Sequence, residues 1–246
     1  SGFLSFSVWH LIQKFLNIIS PSLAKDKFIK TVRRINFFMT TSFKIFSMIK
    51  IALTGNLASG KSTVGKIFQE AGFYVFDADS IIRQFYEEKG EVYKKVVEAF
   101  GKEILDEAGN IDRKKLAGVV FENKEKLRIL EDITHEALYG KLEEEFEKLP
   151  SNSVVVVEAS LLIEKGTYKN YHATVLVYAP YETCKLRAIK AGYSPEDFER
   201  RWRYQMAPEE KLRYANFIVD NRGSMEDLRR RASELINIFK LWSDFE

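Results

Sequence analysis

Ile49-Lys-Ile-Ala-Leu-Thr-Gly55-Asn-Leu-Ala-Ser-Gly60-Lys61-Ser62-Thr63-Val-Gly65 decides how the chain folds. It contains Gly55-x-x-x-x-Gly60-Lys61-Ser62, the phosphate-binding loop pattern. The apolar run before it (Ile49, Ile51, Ala52, Leu53) predicts a buried strand. The pattern after it (Val64, Ile67, Phe68, Ala71) predicts a helix that Gly72 stops. Glycines at 55 and 60 let the backbone turn tightly and approach a phosphate with no Cβ in the way. The N–H groups of residues 56–62 are then expected to point inward, at the positive end of the helix. Gly55, Ala58, Ser59, Gly60, Lys61, Ser62 and Thr63 are therefore candidate nucleotide contacts. Lys61 is suited to the β- and γ-phosphates and the Ser62 hydroxyl to Mg²⁺.

Downstream, Tyr74-Val-Phe-Asp77-Ala-Asp79 predicts a short buried strand with two carboxylates at its C-terminal end. Ligands in parallel α/β sheets bind at that end. If the strand continues, Asp77 and Asp79 share a face. A turn there separates them, and Asp79 or Ser80 then caps the next helix. From Gly90 to Pro150 the apolar spacing is helical, with Asn123 expected to cap the longest segment. This block predicts a helical subdomain inserted between two strands. Ser153-Val-Val-Val-Val-Glu158 is the clearest buried strand, and an acid at such an end usually supports Mg²⁺. Ala173 to Tyr178 and Asn216 to Asp220 supply two more strands. Strands alternating with helices outside the inserted block argue a parallel sheet covered on both faces. Ser194-Pro195 opens a helix carrying Arg200, Arg201 and Arg203. These bases form either a solvated face or a closing lid that neutralises a transferring phosphoryl group.

The 246 residues suffice for one large or two small domains, and the net charge of +3 gives no field suited to nucleic acid. Residues 1–47 hold seven basic side chains and one acid, Asp26. The remainder holds 31 bases and 34 acids, out of 38 and 35 in all. No apolar run is long enough to span a membrane. Residues 3–19 have an amphipathic spacing that a surface helix could use. The expectation for 1–47 is nevertheless an extension that is not part of the catalytic domain, because Met48 directly precedes the first strand. A lone cysteine, Cys184, fits a reducing cytoplasm, and a monomer or weak oligomer is expected.

Several ordered motifs carry a resemblance from Met48 to about Phe239. After the loop come Asp77-Ala-Asp79 with Ile82-Arg83, Phe100-Gly-x-x-Ile-Leu, Gly109-x-Ile-Asp-Arg113 and Val120-Phe121. Leu161-Leu-Ile-Glu164, Gln205-Met206, Glu209-Glu-Lys211 and Val219-Asp-Asn-x-Gly-Ser224 follow. In this order they resemble the dephospho-coenzyme A kinase family. The resemblance implies a P-loop kinase fold: a five-stranded parallel sheet flanked by helices, an inserted helical acceptor domain at about 80–150 and a lid at about 187–206. It implies transfer of the ATP γ-phosphoryl, with Mg²⁺, to the ribose 3′-hydroxyl of dephospho-CoA, the last step of coenzyme A biosynthesis. Asp79 matches the family's general base, with Glu158 as the alternative; Lys61 and Arg201 are expected to act in catalysis beside it, and Asp77, Arg83, His135, Glu158 and Lys190 to contact the substrate. The family's Arg-Asp at the lid stands here as Lys190-Ala191, so the lid phosphate contact falls to Arg187, Lys190 or Arg201. Two further departures are Ala58, where the family usually has glycine, and Glu158-Ala-Ser160, in place of Asp-x-Pro.

Two other readings compete. One is a kinase of the same architecture for another nucleoside or sugar hydroxyl. The other is a GTPase switch or non-catalytic nucleotide sensor. A GTPase would need an Asn-Lys-x-Asp segment, but Asn123-Lys124 is followed by Glu125-Lys126.

Overall fold

The computed structural model describes residues 48–121 and 123–243; the expectations for 1–47 lie outside them. Five strands form one sheet: β1 (Met48–Gly55), β2 (Tyr74–Asp77), β3 (Ser153–Glu158), β4 (Ala173–Tyr178) and β5 (Phe217–Asp220). Their order is β2-β3-β1-β4-β5 and every pair is parallel. The expected five-stranded parallel sheet is thus the observed one. The continuous apolar runs of β1 and β3 place them inside the sheet, where both faces are covered. β2, expected to be buried, is instead a four-residue edge strand with Tyr74 exposed. An edge strand has only one neighbour, so its apolar residues are half covered.

α1 (Lys61–Glu70) and α9 (Met225–Ser243) lie on one face of the sheet. Phe68, Phe73, Phe217 and Phe239 interlock there, with ring centroids 5.5–6.4 Å apart. Burying each such ring contributes about 1.5–3 kcal/mol. On the other face Ala52, Val155 and Val157 pack on Leu138, Leu142 and Phe146 of α5 (Lys124–Glu147).

α5 belongs to the expected helical block, which begins immediately after β2. α2 (Ala78–Glu87), α3 (Glu91–Phe100) and α4 (Arg113–Phe121) precede it. Val92, Val96, Phe100, Ile104, Leu116 and Val120 give the block a core of its own. Phe85 packs against both this core and the sheet's, tying the two together. Asn123 caps α5 by accepting the N–H groups of Glu125 and Lys126. Ser194 caps α7 (Pro195–Trp202) with Pro195 in its first turn. α6 (Tyr181–Lys190) and α7 pack through Cys184, Ala188 and Phe198. The four-residue α8 (Pro208–Lys211) leads into β5. No helix among the described residues is long and apolar enough to cross a membrane.

Candidate active site

The loop between β1 and α1 borders a cavity of about 470 Å³. Residues 56–63 line one side, and Ser160, Arg187, Asn221 and Met225 line the other. The loop's glycines are required by contact. A Cβ at Gly55 would stand 2.7 Å from the backbone oxygen of Val177. Gly60 has φ +97° and lies against Asn221, whose Nδ2 would be 2.2 Å from an added Cβ. Ala58 also adopts a left-handed conformation, φ 60°, which costs a residue with a Cβ about 1–2 kcal/mol. Its methyl and Leu57 pack against the cluster between α6 and α7, so the loop's apex rests on the lid-side helices.

The amides of residues 56–62 do not all face a phosphate, as had been expected. Leu57 N–H donates to Gln205 Oε1 at 2.9 Å and Ser59 N–H to Asn56 O at 3.0 Å. These bonds hold the loop's shape. The amides of Gly60, Lys61 and Ser62 have no protein acceptor among the described residues and sit at the N-terminus of α1, where an anion is favoured.

Glu158 ends β3 in register with Leu53 of β1 and Asp77 of β2, at the C-terminal edge of the sheet. Its Oε1 is 2.7 Å from Lys61 Nζ and accepts the Ser62 hydroxyl at 2.6 Å. Its Oε2 occupies space that only Gly65 leaves open, since an added Cβ there would approach to 2.5 Å. Lys61, Ser62 and Glu158 therefore form one charged cluster at the loop. Among the described residues no three His, Cys, Asp or Glu side chains gather to hold a metal. The hard oxygens of Ser62 and Glu158 are the pair suited to Mg²⁺, with a nucleotide's phosphates supplying further ligands.

Asp77 and Asp79 are separated by a turn. The cap of α2 is neither Asp79 nor Ser80 but Asp77, which accepts the Ser80 N–H at 3.1 Å. Asp79, freed from capping, lies in the first turn, exposed, and its Oδ2 accepts the Ser160 hydroxyl at 3.1 Å. Arg83 follows one turn later on α2. It lines a second cavity of about 310 Å³ with Tyr86, Glu87, Asn110, Ile111 and Arg113. Burial pushes the Tyr86 phenol up to about 12, against the opposing pull of Arg113. His135 is half-buried on α5, where burial holds its pKa below the usual value of 6.5. It neighbours the Lys165–Glu131 ion pair.

The lid bases divide clearly. Arg187 lines the phosphate cavity, with Nη2 donating to Asn221 O at 2.9 Å and Nη1 buried with no hydrogen-bond partner among the described residues. Lys190 is exposed at the end of α6 and does not line the cavity. Arg201 is held by Asp197 at 3.1 Å and lies over the Tyr193 ring, also outside it. Of the three, then, the structure brings only Arg187 to the loop. Position on α6 explains this: Arg187 shares the inward side with Cys184 and Ala188, both fully buried.

Asn221, Lys211 and Glu164 carried no role in the sequence beyond their place in the quoted motifs. Asn221 Nδ2 donates to Ser59 O at 2.7 Å and so buttresses the loop from the end of β5. Lys211 is completely buried, 2.9 Å from Glu164 Oε1, and donates to Ser160 O at 3.1 Å. Glu164 Oε1 also accepts the Met206 N–H at 2.8 Å, and Asn56 Nδ2 donates to Met206 O at 2.9 Å. Burial lowers the Lys211 pKa, opposed by Glu164. Asn221 could have been noticed as a polar residue at a strand end. Lys211 stood in the Glu209-Glu-Lys211 motif, but nothing in that charged run signalled its burial.

A family model described as dephospho-CoA kinase matches residues 49–227. A dephospho-CoA kinase of Aquifex aeolicus is 55% identical over 188 residues, 76% of this chain and 96% of the relative. One from Carboxydothermus hydrogenoformans is 39% identical over 199 residues, 79% and 96% of the two chains. Among solved structures, TT1252 from Thermus thermophilus superposes with a TM-score of 0.70 at 36% identity, covering 77% and 96% of the two chains. A dephospho-CoA kinase from Campylobacter jejuni gives 0.52 at 31% identity, covering 78% and 98%.

Proposed function

The chain belongs to the dephospho-CoA kinase family and is an ATP-dependent kinase that converts dephospho-CoA to coenzyme A, and on that premise we propose how its residues divide the reaction. The loop amides and Lys61 bind the ATP phosphates, and Arg187 reaches the transferring phosphoryl group from the lid side. Asp79 is the general base for the acceptor's ribose 3′-hydroxyl. Arg83, His135 and the second cavity belong to the acceptor side. The alternative hydroxyl acceptors and a non-catalytic sensor are not favoured.

A hydroxyl is a poor nucleophile until its proton is taken up as the new bond forms. A positioned carboxylate accepts that proton in the transition state and aims the oxygen at the γ-phosphorus. One contact supports Asp79 in this role above all. Ser160, which lines the phosphate cavity, holds Asp79 Oδ2 at 3.1 Å. The other carboxylate oxygen has no hydrogen bond among the described residues. Mg²⁺ fits the Ser62 and Glu158 oxygens, which would hold it, and when bound it supplies positive charge to the phosphates.

The test is a coupled assay with ATP and dephospho-CoA beside a panel of nucleosides and sugars. Asp79→Asn keeps the shape but cannot take the proton, so kcat falls roughly 10²–10⁴-fold with ATP affinity little changed. A mild Asp79→Asn with a severe Glu158→Gln would move the base to Glu158. Residues 48–246 are the proposed kinase domain, with the acceptor block and lid within it. A chain begun at Met48 keeps full activity on this reading, and a marked loss of activity or melting temperature would refute it. A cytoplasmic location is proposed from the single cysteine, and a monomer or weak oligomer is proposed with size-exclusion chromatography as the check on assembly.

A further inference from the structure

We propose that Ser160 is the residue that positions the base, through the hydroxyl it donates. The proposal rests on Asp79 being the base. Ser160 donates its hydroxyl to Asp79 Oδ2 at 3.1 Å. Its own backbone is held from beneath. Ser160 O accepts from Lys211 Nζ at 3.1 Å and from Thr54 Oγ1 at 3.3 Å. Lys211 is fully buried and fixed by Glu164, which in turn binds Met206, whose carbonyl accepts from Asn56 of the phosphate loop. A continuous set of hydrogen bonds therefore runs from the loop that binds the donor to the carboxylate that addresses the acceptor.

The physical consequence is orientation. Asp79 is exposed and stands at a helix N-terminus, so without a second contact its carboxylate samples several rotamers. A hydrogen bond to a charged oxygen selects one of them. One oxygen is then engaged by Ser160 and the other is presented for proton transfer. Ser160 borders the donor cavity, but in this scheme its hydroxyl is turned to Asp79 and it acts through that carboxylate. It is a positioning residue.

Steady-state kinetics on the full chain test this with Ser160→Ala, Ser160→Thr, Asp79→Asn and the Ser160→Ala/Asp79→Asn double variant. Ser160→Ala removes one oxygen from a half-buried site, so folding is retained, and melting curves check that. The expected result is a fall in kcat of about 10–100-fold, the worth of a hydrogen bond to a charged group, with KM for ATP and dephospho-CoA within about threefold. Ser160→Thr, which keeps the hydroxyl, restores most of the loss. In the Asp79→Asn background Ser160→Ala has no further effect, because there is no base left to orient.

Three outcomes overturn the proposal. One is a Ser160→Ala kcat within about twofold of the parent. The second is an undiminished loss in the Asp79→Asn background. The third is a Ser160→Thr as slow as Ser160→Ala. If Asp79→Asn itself is near the parent, the assignment of the base fails and this proposal with it. A severe Asp79→Asn beside a silent Ser160→Ala leaves the base in place and removes only Ser160.

Discussion

Lys61 Nζ lies 2.7 Å from Glu158 Oε1, and both side chains are largely withdrawn from solvent. The loop lysine, proposed as a phosphate ligand, is thus also the counter-ion of a buried carboxylate. A phosphate arriving at the loop competes with Glu158 for the same ammonium group. Removing one partner of such a pair leaves a buried charge uncompensated, which costs about 3–5 kcal/mol. Lys61→Ala should therefore abolish phosphoryl transfer and also lower the melting temperature clearly. Adding Glu158→Gln should recover much of the melting temperature and none of the activity. A Lys61→Ala that melts with the parent would show that the ion pair contributes nothing to the fold.

Asp77 and Asp79 should separate in kinetics and in stability. Asp77 caps α2, so Asp77→Ala costs about 1 kcal/mol of stability with kcat nearly unchanged. Asp79→Ala should do the reverse, with a severe loss of kcat and little change in melting. Asp77→Asn keeps the cap and should behave as the parent. Finding the kinetic loss at Asp77 would exchange the two roles.

Arg187 presents at the phosphate cavity a buried guanidinium nitrogen with no partner among the described residues, whereas Arg201 is occupied by Asp197. Arg187→Ala should lower kcat roughly 10²–10³-fold, the range for losing one donor to developing charge. Arg187→Lys should recover only part, since an ammonium lacks the planar fork. Arg201→Ala and Lys190→Ala should each stay within about threefold of the parent. The opposite order, measured under saturating ATP and dephospho-CoA, would return the lid contact to α7.

His172 makes stability depend on pH. Its Nδ1 accepts the Lys50 backbone N–H at 2.8 Å while the His172 backbone N–H donates to Lys50 O, joining the chain before β4 to β1. Burial, and then the Lys50 ammonium, hold its pKa below 6.5. The unfolded chain consequently takes up a proton before the folded one does. This contribution is fully present above about pH 6.5 and is lost as pH falls through the folded value. His135, also lowered by burial, acts in the same direction. Melting temperatures at about pH 8 and about pH 5.5 should fall further apart in the parent than in His172→Gln. An equal separation in both proteins would remove His172 from the effect.

Much of the architecture was legible because its causes are local. Four successive valines specify an interior strand at 154–157, Asn123 and Ser194 announce their helices, and Gly55 and Gly60 mark a backbone approach. The edge position of β2 was not legible, since Tyr74-Val-Phe carries the same apolar signal whether it has one neighbouring strand or two. The cap of α2 fell between adjacent acids because Asp77, Asp79 and Ser80 are all competent caps. Only the place where the strand ends chooses among them.

The phosphate-loop pattern with Lys61 and the helical block before Ser153 are properties of residue type and short spacing, so the sequence alone displayed them, whereas Asp79 was singled out as a base by the family resemblance. Tertiary structure decided which of Arg187, Lys190 and Arg201 borders the loop cavity, that Asn221 braces Ser59, that Lys211 lies buried beneath Ser160, and that Ser160 holds Asp79. Those last three contacts join residues 162, 51 and 81 positions apart. No local pattern encodes such pairings, because they exist only once the parallel sheet has brought the C-terminal ends of its strands together.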